Sequence, residues 1–166
     1  MNNEYRKQLI ELVKEFVLSA REINGVNKIS MIGSLLTDKV KPKDADILCC
    51  IADNLELKYL AKLGRRLQGK AGSIGSGADI FLSNNDNEYL GRICIWKDCR
   101  PGVRQSCDAQ NCGKREYLHD DLQVIKLTRE LVANPPLVLY PEIIRNIKVP
   151  EDLEELLLNR ISYSAI

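Results

Sequence analysis

The chain has 166 residues, 45% of them hydrophobic and 28% charged, a balance that supports one domain with a buried core and argues against disorder. Its 24 basic and 23 acidic residues leave a net charge of +1, so no global field draws it to a polyanion and any steering must come from a local patch. No apolar run nears the ~20 residues that cross a bilayer, and the N-terminus lacks the features of a signal peptide. The expected setting is therefore cytoplasmic, without membrane, and the six cysteines are expected as thiols or metal ligands.

Taken in chain order, residues 4 to 23 read as an amphipathic helix: Leu9, Val13, Phe16, Val17 and Ala20 recur at three- and four-residue spacing, and Asn24-Gly25 stops it. "NKISMIGS" suits a buried strand ending in Gly, and "ADILCCI" is apolar on both faces, as in a strand covered on both sides. "LELKYLAKLGRRLQG" carries Leu57, Leu60, Leu63 and Leu67 at helical spacing. "ADIFLS" and "EYLGRICIW" are strands joined by the turn "NNDN". Residues 97–116 show no periodicity and form a Cys-rich loop, long enough that something should pin it. "HDDLQVIKLTRELVA" reads as a helix with acids in its first turn, closed by Asn134-Pro135-Pro136, and "PEDLEELLLNRI" as a last helix. The expectation is a single α/β domain over 1–166. Its core at 1–96 is a mixed sheet of about four strands flanked by helices, and helices fill 117–166.

Two aspartates open the second strand. Strand alternation points Asp44 and Asp46 the same way if strand geometry reaches back to Asp44. Two such carboxylates ~4 Å apart repel by a few kcal/mol at an effective dielectric near 20, so they need a cation, a proton or water. Mg2+ fits, because it takes one or two carboxylates and fills its shell with water and phosphate oxygens. Asp79 heads another strand, and if the two strands are neighbours all three acids collect at one sheet edge. Gly33-Ser34 adds a place where backbone can approach a phosphate closely, with amides and a hydroxyl to hold it. Either aspartate group taken alone reads as turn residues, which Asp commonly supplies.

Ile32-Gly33-Ser34, nine intervening residues, Asp44-Ala45-Asp46-Ile47 and a later strand aspartate, Asp79, together resemble the pattern of the DNA polymerase beta-like nucleotidyltransferase superfamily, especially its minimal members. The resemblance spans about residues 26–83. It implies the small nucleotidyltransferase fold and transfer of a nucleoside monophosphate from an NTP, usually ATP, to a hydroxyl on a protein, an RNA end or a small molecule. It further implies two Mg2+ ions on Asp44, Asp46 and Asp79, and a triphosphate held by Gly33 and Ser34; minimal members often place Arg after Gly-Ser, and here Lys39, Lys41 and Lys43 stand in for that charge, with Lys43 the expected nucleotide contact. Minimal members are often paired with a helical partner protein, so the alternative is a non-catalytic module of the same fold that binds a partner protein or RNA.

Cys94, Cys99, Cys107 and Cys112 are spaced C-x4-C-x7-C-x4-C, with His119 following. A zinc ion on Cys99, Cys107, Cys112 and either His119 or Cys94 would order the 97–116 loop. Cys94 also reads as a core residue, as do Cys49 and Cys50, and His119 as a helix cap. Arg92, Arg100, Arg104, Lys114 and Arg115 gather around that loop and Arg65-Arg66 lie on the central helix, a pattern suited either to a solvated face or to guiding a polyanion.

Overall fold

A computed structural model describes residues 3–97, 99, 115–119 and 125–164. Helix α1 (Asn3–Ala20) leads into strand β1 (Val26–Ile32), a single 3-10 turn (Ser34–Leu36), and β2 (Asp44–Ile51). Helix α2 (Lys58–Ser73) then returns the chain to β3 (Gly77–Ser83), which is followed by β4 (Tyr89–Ile93) and the two-residue β5 (Leu118–His119). The C-terminal third contributes α3 (Arg129–Ala133), β6 (Leu137–Tyr140) and β7 (Ile144–Arg145). It ends in a helical segment of α4 (Glu151–Leu153), a π-helical run (Glu154–Leu158) and α5 (Asn159–Ser164).

The strands form one mixed sheet in the order β5-β4-β3-β2-β1-β6-β7. β2 and β3 run parallel, joined by α2, and the other pairs are antiparallel. Seven strands among the described residues correct the expected four. The four central strands lie where the apolar patterns place them. β6 and β7 arise from "PLVLYPEIIR": β6 pairs with the free edge of β1 and β7 with β6, instead of turning into helix. The expected all-helical 117–166 is corrected likewise. His119 lies in β5, and Ile125 and Leu127 pack on the sheet. Helix begins only where the Thr128 hydroxyl accepts from Leu131 N–H at 3.2 Å. Asp120 and Asp121 lie outside the described residues.

Period-two alternation divides the sheet. Ala45, Ile47, Cys49 and Ile51 of β2, with Ala78, Ile80 and Leu82 of β3, join the main core beneath α1, α2 and the final helical segment. The opposite face carries a smaller cluster, Ile32, Leu48, Phe81 and Val132, covered by Tyr89, Ile125, Leu127 and Leu131. That thinly covered face also bears the acids. No helix among the described residues is long and apolar enough to cross a membrane.

Candidate functional site

The site grows from the register of three strands. Ile32 pairs with Asp46, and Asp46 with Asp79, so these residues form one row across β1, β2 and β3. Asp44 pairs with Gly77 two positions earlier on the same face. The sheet thus brings Asp44, Asp46 and Asp79 together on one face.

Each of the first two carboxylates lies over a glycine. A Cβ at Gly33 would drive into the Asp46 carboxylate, its Cγ 3.2 Å away, and one at Gly77 would strike that of Asp44, its Cγ 3.4 Å away. Gly33 sits at φ 85°, ψ −165°, a region open essentially to glycine alone. Glycine is required there twice over, by its backbone angles and by the carboxylate against it.

The acids feel one another. Burial pushes the Asp46 carboxyl up to about 6, and the negative charges of Asp79 and Asp44 add to the rise. A divalent cation would relieve that repulsion, and carboxylates bordered by bare glycine backbone suit a hard cation that keeps water and phosphate oxygens in its shell. The donor set therefore fits Mg2+. In the structure Asp79 instead accepts from Arg92 of β4, Nη1 to Oδ1 at 3.3 Å. Among the described residues no three His, Cys, Asp or Glu side chains form a metal-holding group as they stand.

The segment between the glycine turn and the acids is anchored from behind. Leu35 and Leu36 are buried. Thr37 hydroxyl donates to Ser34 carbonyl at 2.7 Å and accepts from Lys39 N–H at 3.2 Å. Arg6, only 4% exposed, donates to the carbonyls of Lys39 (2.8 Å) and Leu35 (3.2 Å). The same guanidinium grips Asp152 through two bonds of 2.7 and 3.1 Å, and Tyr5 hydroxyl donates to Pro42 carbonyl at 2.8 Å. Gly33 and the run Thr37 to Lys41 remain exposed, and Ser34 is half-buried. The Lys43 side chain is exposed too, while its carbonyl accepts from Gly77 N–H and Ser76 hydroxyl, each at 3.1 Å, tying the starts of β2 and β3 together.

Three residues of the candidate site are not picked out by the motif spacing. Arg92, which the sequence groups with a loop of positive charge, holds Asp79. Arg6 and Asp152 read in the sequence only as helix residues. Arg6 does leave a trace in the sequence, for it stands three residues before Leu9 on the apolar stripe of α1, where a charge needs a buried partner.

The cysteines divide by environment. Cys49 is fully buried, and burial pushes its thiol up to about 12, while the Cys50 thiol donates to Asn84 carbonyl at 3.2 Å. Cys94 and Cys99 pack against the main core, and Cys99 Sγ accepts from Tyr117 N–H at 3.5 Å. His119 pairs with Arg92 along the β4–β5 ladder. Cys107 and Cys112 lie outside the described residues, as do Arg100, Arg104 and Lys114. Arg115 is no part of an open basic face, since it donates to the carbonyls of Leu55 (2.8 Å) and Ala52 (3.2 Å).

No family model matches the chain, and neither a curated protein nor a solved structure does so at a significant level.

Proposed function

We propose that the protein is a metal-dependent nucleotidyltransferase that moves a nucleoside monophosphate from an NTP, with ATP the first donor to test, to a hydroxyl acceptor. The observation that supports this reading is the row Ile32-Asp46-Asp79, with Asp44 beside it and Gly33 closed against Asp46. Asp44, Asp46 and Asp79 would hold two Mg2+ ions, which supply charge stabilisation to the attacking and leaving oxygens of an in-line displacement. Gly33 opens backbone space for the triphosphate, Ser34 offers its hydroxyl, and Lys43 contributes positive charge from the head of β2. The Arg6 clamp keeps this segment in register with the acids, so little reorganisation is needed when nucleotide arrives.

The Arg92–Asp79 pair favours a second reading, a non-catalytic module of this kind that binds a partner protein or RNA. There the guanidinium takes over the charge balance of the third carboxylate. Calorimetry with ATP or CTP and Mg2+, on wild type and on Asp44→Ala/Asp46→Ala, separates the readings at the binding step. Transfer of label from alpha-labelled ATP to lysate components separates them at the chemical step. Metal-dependent binding and transfer, both lost in the double variant, are expected. Wild type that binds neither Mg2+ nor nucleotide overturns the enzyme reading, and binding without transfer favours the module.

A further inference from the structure

Helix α2 carries Lys58, Lys62, Arg65, Arg66 and Lys70 and not one acidic residue, in a chain whose net charge is only +1. Its buried face is Leu60, Ala61, Leu63, Gly64, Leu67 and Ala71, so the cations are concentrated on the outward side. Folding does not call for such an arrangement. Lys58 sits in the first turn, where the helix dipole disfavours a cation, and Lys58/Lys62 and Lys62/Arg65 are like-charge neighbours at i,i+4 and i,i+3. Among the described residues, no carboxylate is ion-paired with Lys58, Lys62, Arg65 or Lys97. By contrast Lys70 at the far end of the helix is neutralised by Glu15 at 3.1 Å.

These four cations line a groove of about 330 Å³ together with Tyr59, Tyr117 and Glu56. Tyr59 is 53% exposed, and Trp96, which adjoins the groove beside Lys97, is 49% exposed. Arg65 ties the two sides together by donating to the Trp96 carbonyl at 3.4 Å, and Tyr117 hydroxyl donates to the Lys97 carbonyl at 3.1 Å. An anchored trough in which four cations, none ion-paired among the described residues, face a single carboxylate, Glu56, beside exposed aromatic rings combines a track for a phosphate backbone with a surface for bases. A membrane surface would engage the charges but leave no role for a trough with an aromatic wall. Helix α2 packs beneath the sheet, in the main core, whereas Asp44, Asp46 and Asp79 lie on the other face. The groove is therefore separate from the carboxylate site and does not depend on its chemistry.

We propose that the groove along the first half of α2 binds single-stranded nucleic acid, with Tyr59 as the stacking platform and Lys58, Lys62, Arg65 and Lys97 on the phosphates. The test is fluorescence anisotropy of a labelled twelve-nucleotide homopolymer with the intact protein, at rising salt. Three or four phosphate contacts predict a slope of log K against log salt of about −2 to −3. Lys62→Glu/Arg65→Glu should weaken binding by at least tenfold. The charge-matched control Lys7→Glu/Lys148→Glu, on exposed lysines elsewhere, should change it by less than about threefold. Tyr59→Ala should cost roughly 5- to 150-fold, the range of one stacked base, with circular dichroism confirming that each variant is folded. Asp46→Asn should bind as wild type does, so failure of the carboxylate reading leaves this one standing. Absence of binding overturns the proposal, as does equal loss in the control pair. Retention of full affinity in Tyr59→Ala, or competition by inorganic polyphosphate of equal charge as strong as by the oligonucleotide, overturns it in favour of a general polyanion surface.

Discussion

Replacing Asp46 with asparagine keeps its shape and removes its charge, and the structure predicts that the protein becomes more stable. The carboxyl stands at about 6 against an ordinary 3.8, so ionising it in the folded state works against folding. A rise from 3.8 to about 6 corresponds to about 3 kcal/mol at neutral pH. Water reaches this half-buried carboxylate and screens part of that, leaving about 1–2 kcal/mol. The sign follows from proton counts. Between pH 4 and 6 native Asp46 holds its proton more tightly than the unfolded chain does, so wild type loses stability as pH rises through that window. Asp46→Asn lacks this loss. In metal-free buffer at pH 7.5 the variant should melt about 3–6 °C above wild type, and near pH 4 the difference should close. Added Mg2+ should stabilise wild type and leave the variant unmoved. Thermal melts followed by circular dichroism at the two pH values, with EDTA and then with Mg2+, measure all three effects. A variant no more stable than wild type at pH 7.5, or an offset that does not change with pH, refutes the idea that burial, aided by the charges of Asp79 and Asp44, disfavours the ionised Asp46.

Arg6→Ala should cost about 3 kcal/mol, read by urea unfolding, because it strips the partner from Asp152 and two carbonyls at once. Bonding to Arg6 holds the Asp152 carboxyl below the ordinary carboxylate range. The stability from that pair is therefore complete above about pH 4 and lost as pH falls below it, and Arg6→Ala should flatten that acid limb. Gly33→Ala should cost about 1–3 kcal/mol for its backbone angles and abolish Mg2+-dependent nucleotide binding by pushing Asp46 aside, as calorimetry would show. The zinc reading of the cysteines predicts about one zinc per chain by elemental analysis of protein purified in reducing buffer, and less than about 0.2 equivalents discards a four-ligand site on Cys99, Cys107, Cys112 and His119 or Cys94 in favour of free thiols.

The central strands, α1 and α2 were legible because their apolar residues repeat at two or at three to four positions, and the residues so marked are the buried ones. The acids were legible because each heads an apolar strand, and parallel pairing of β2 with β3 is what a crossover helix between them provides. The C-terminal strands were not. "LVLY" is too short to show a period, although the flanking prolines and its Val and Tyr favour a strand, and the edge of β1 it pairs with lies more than a hundred residues away. Arg92 and Arg6 share that obscurity, with partners 13 and 146 positions off. Local pattern shows where a charge is, and only the fold shows which opposite charge it meets.

The Arg6 clamp also bears on the order of assembly. It joins positions 146 apart, and contacts of such separation close late, after the loop entropy between them has been overcome. A nascent chain that has emerged as far as β4 already holds Gly33, all three aspartates and the Arg6 donors to the Leu35 and Lys39 carbonyls, and lacks only the carboxylate that grips Arg6 from the other side. The buried Arg6 guanidinium would then wait for its carboxylate, and the clamp behind the glycine turn would be complete only when Asp152 arrives.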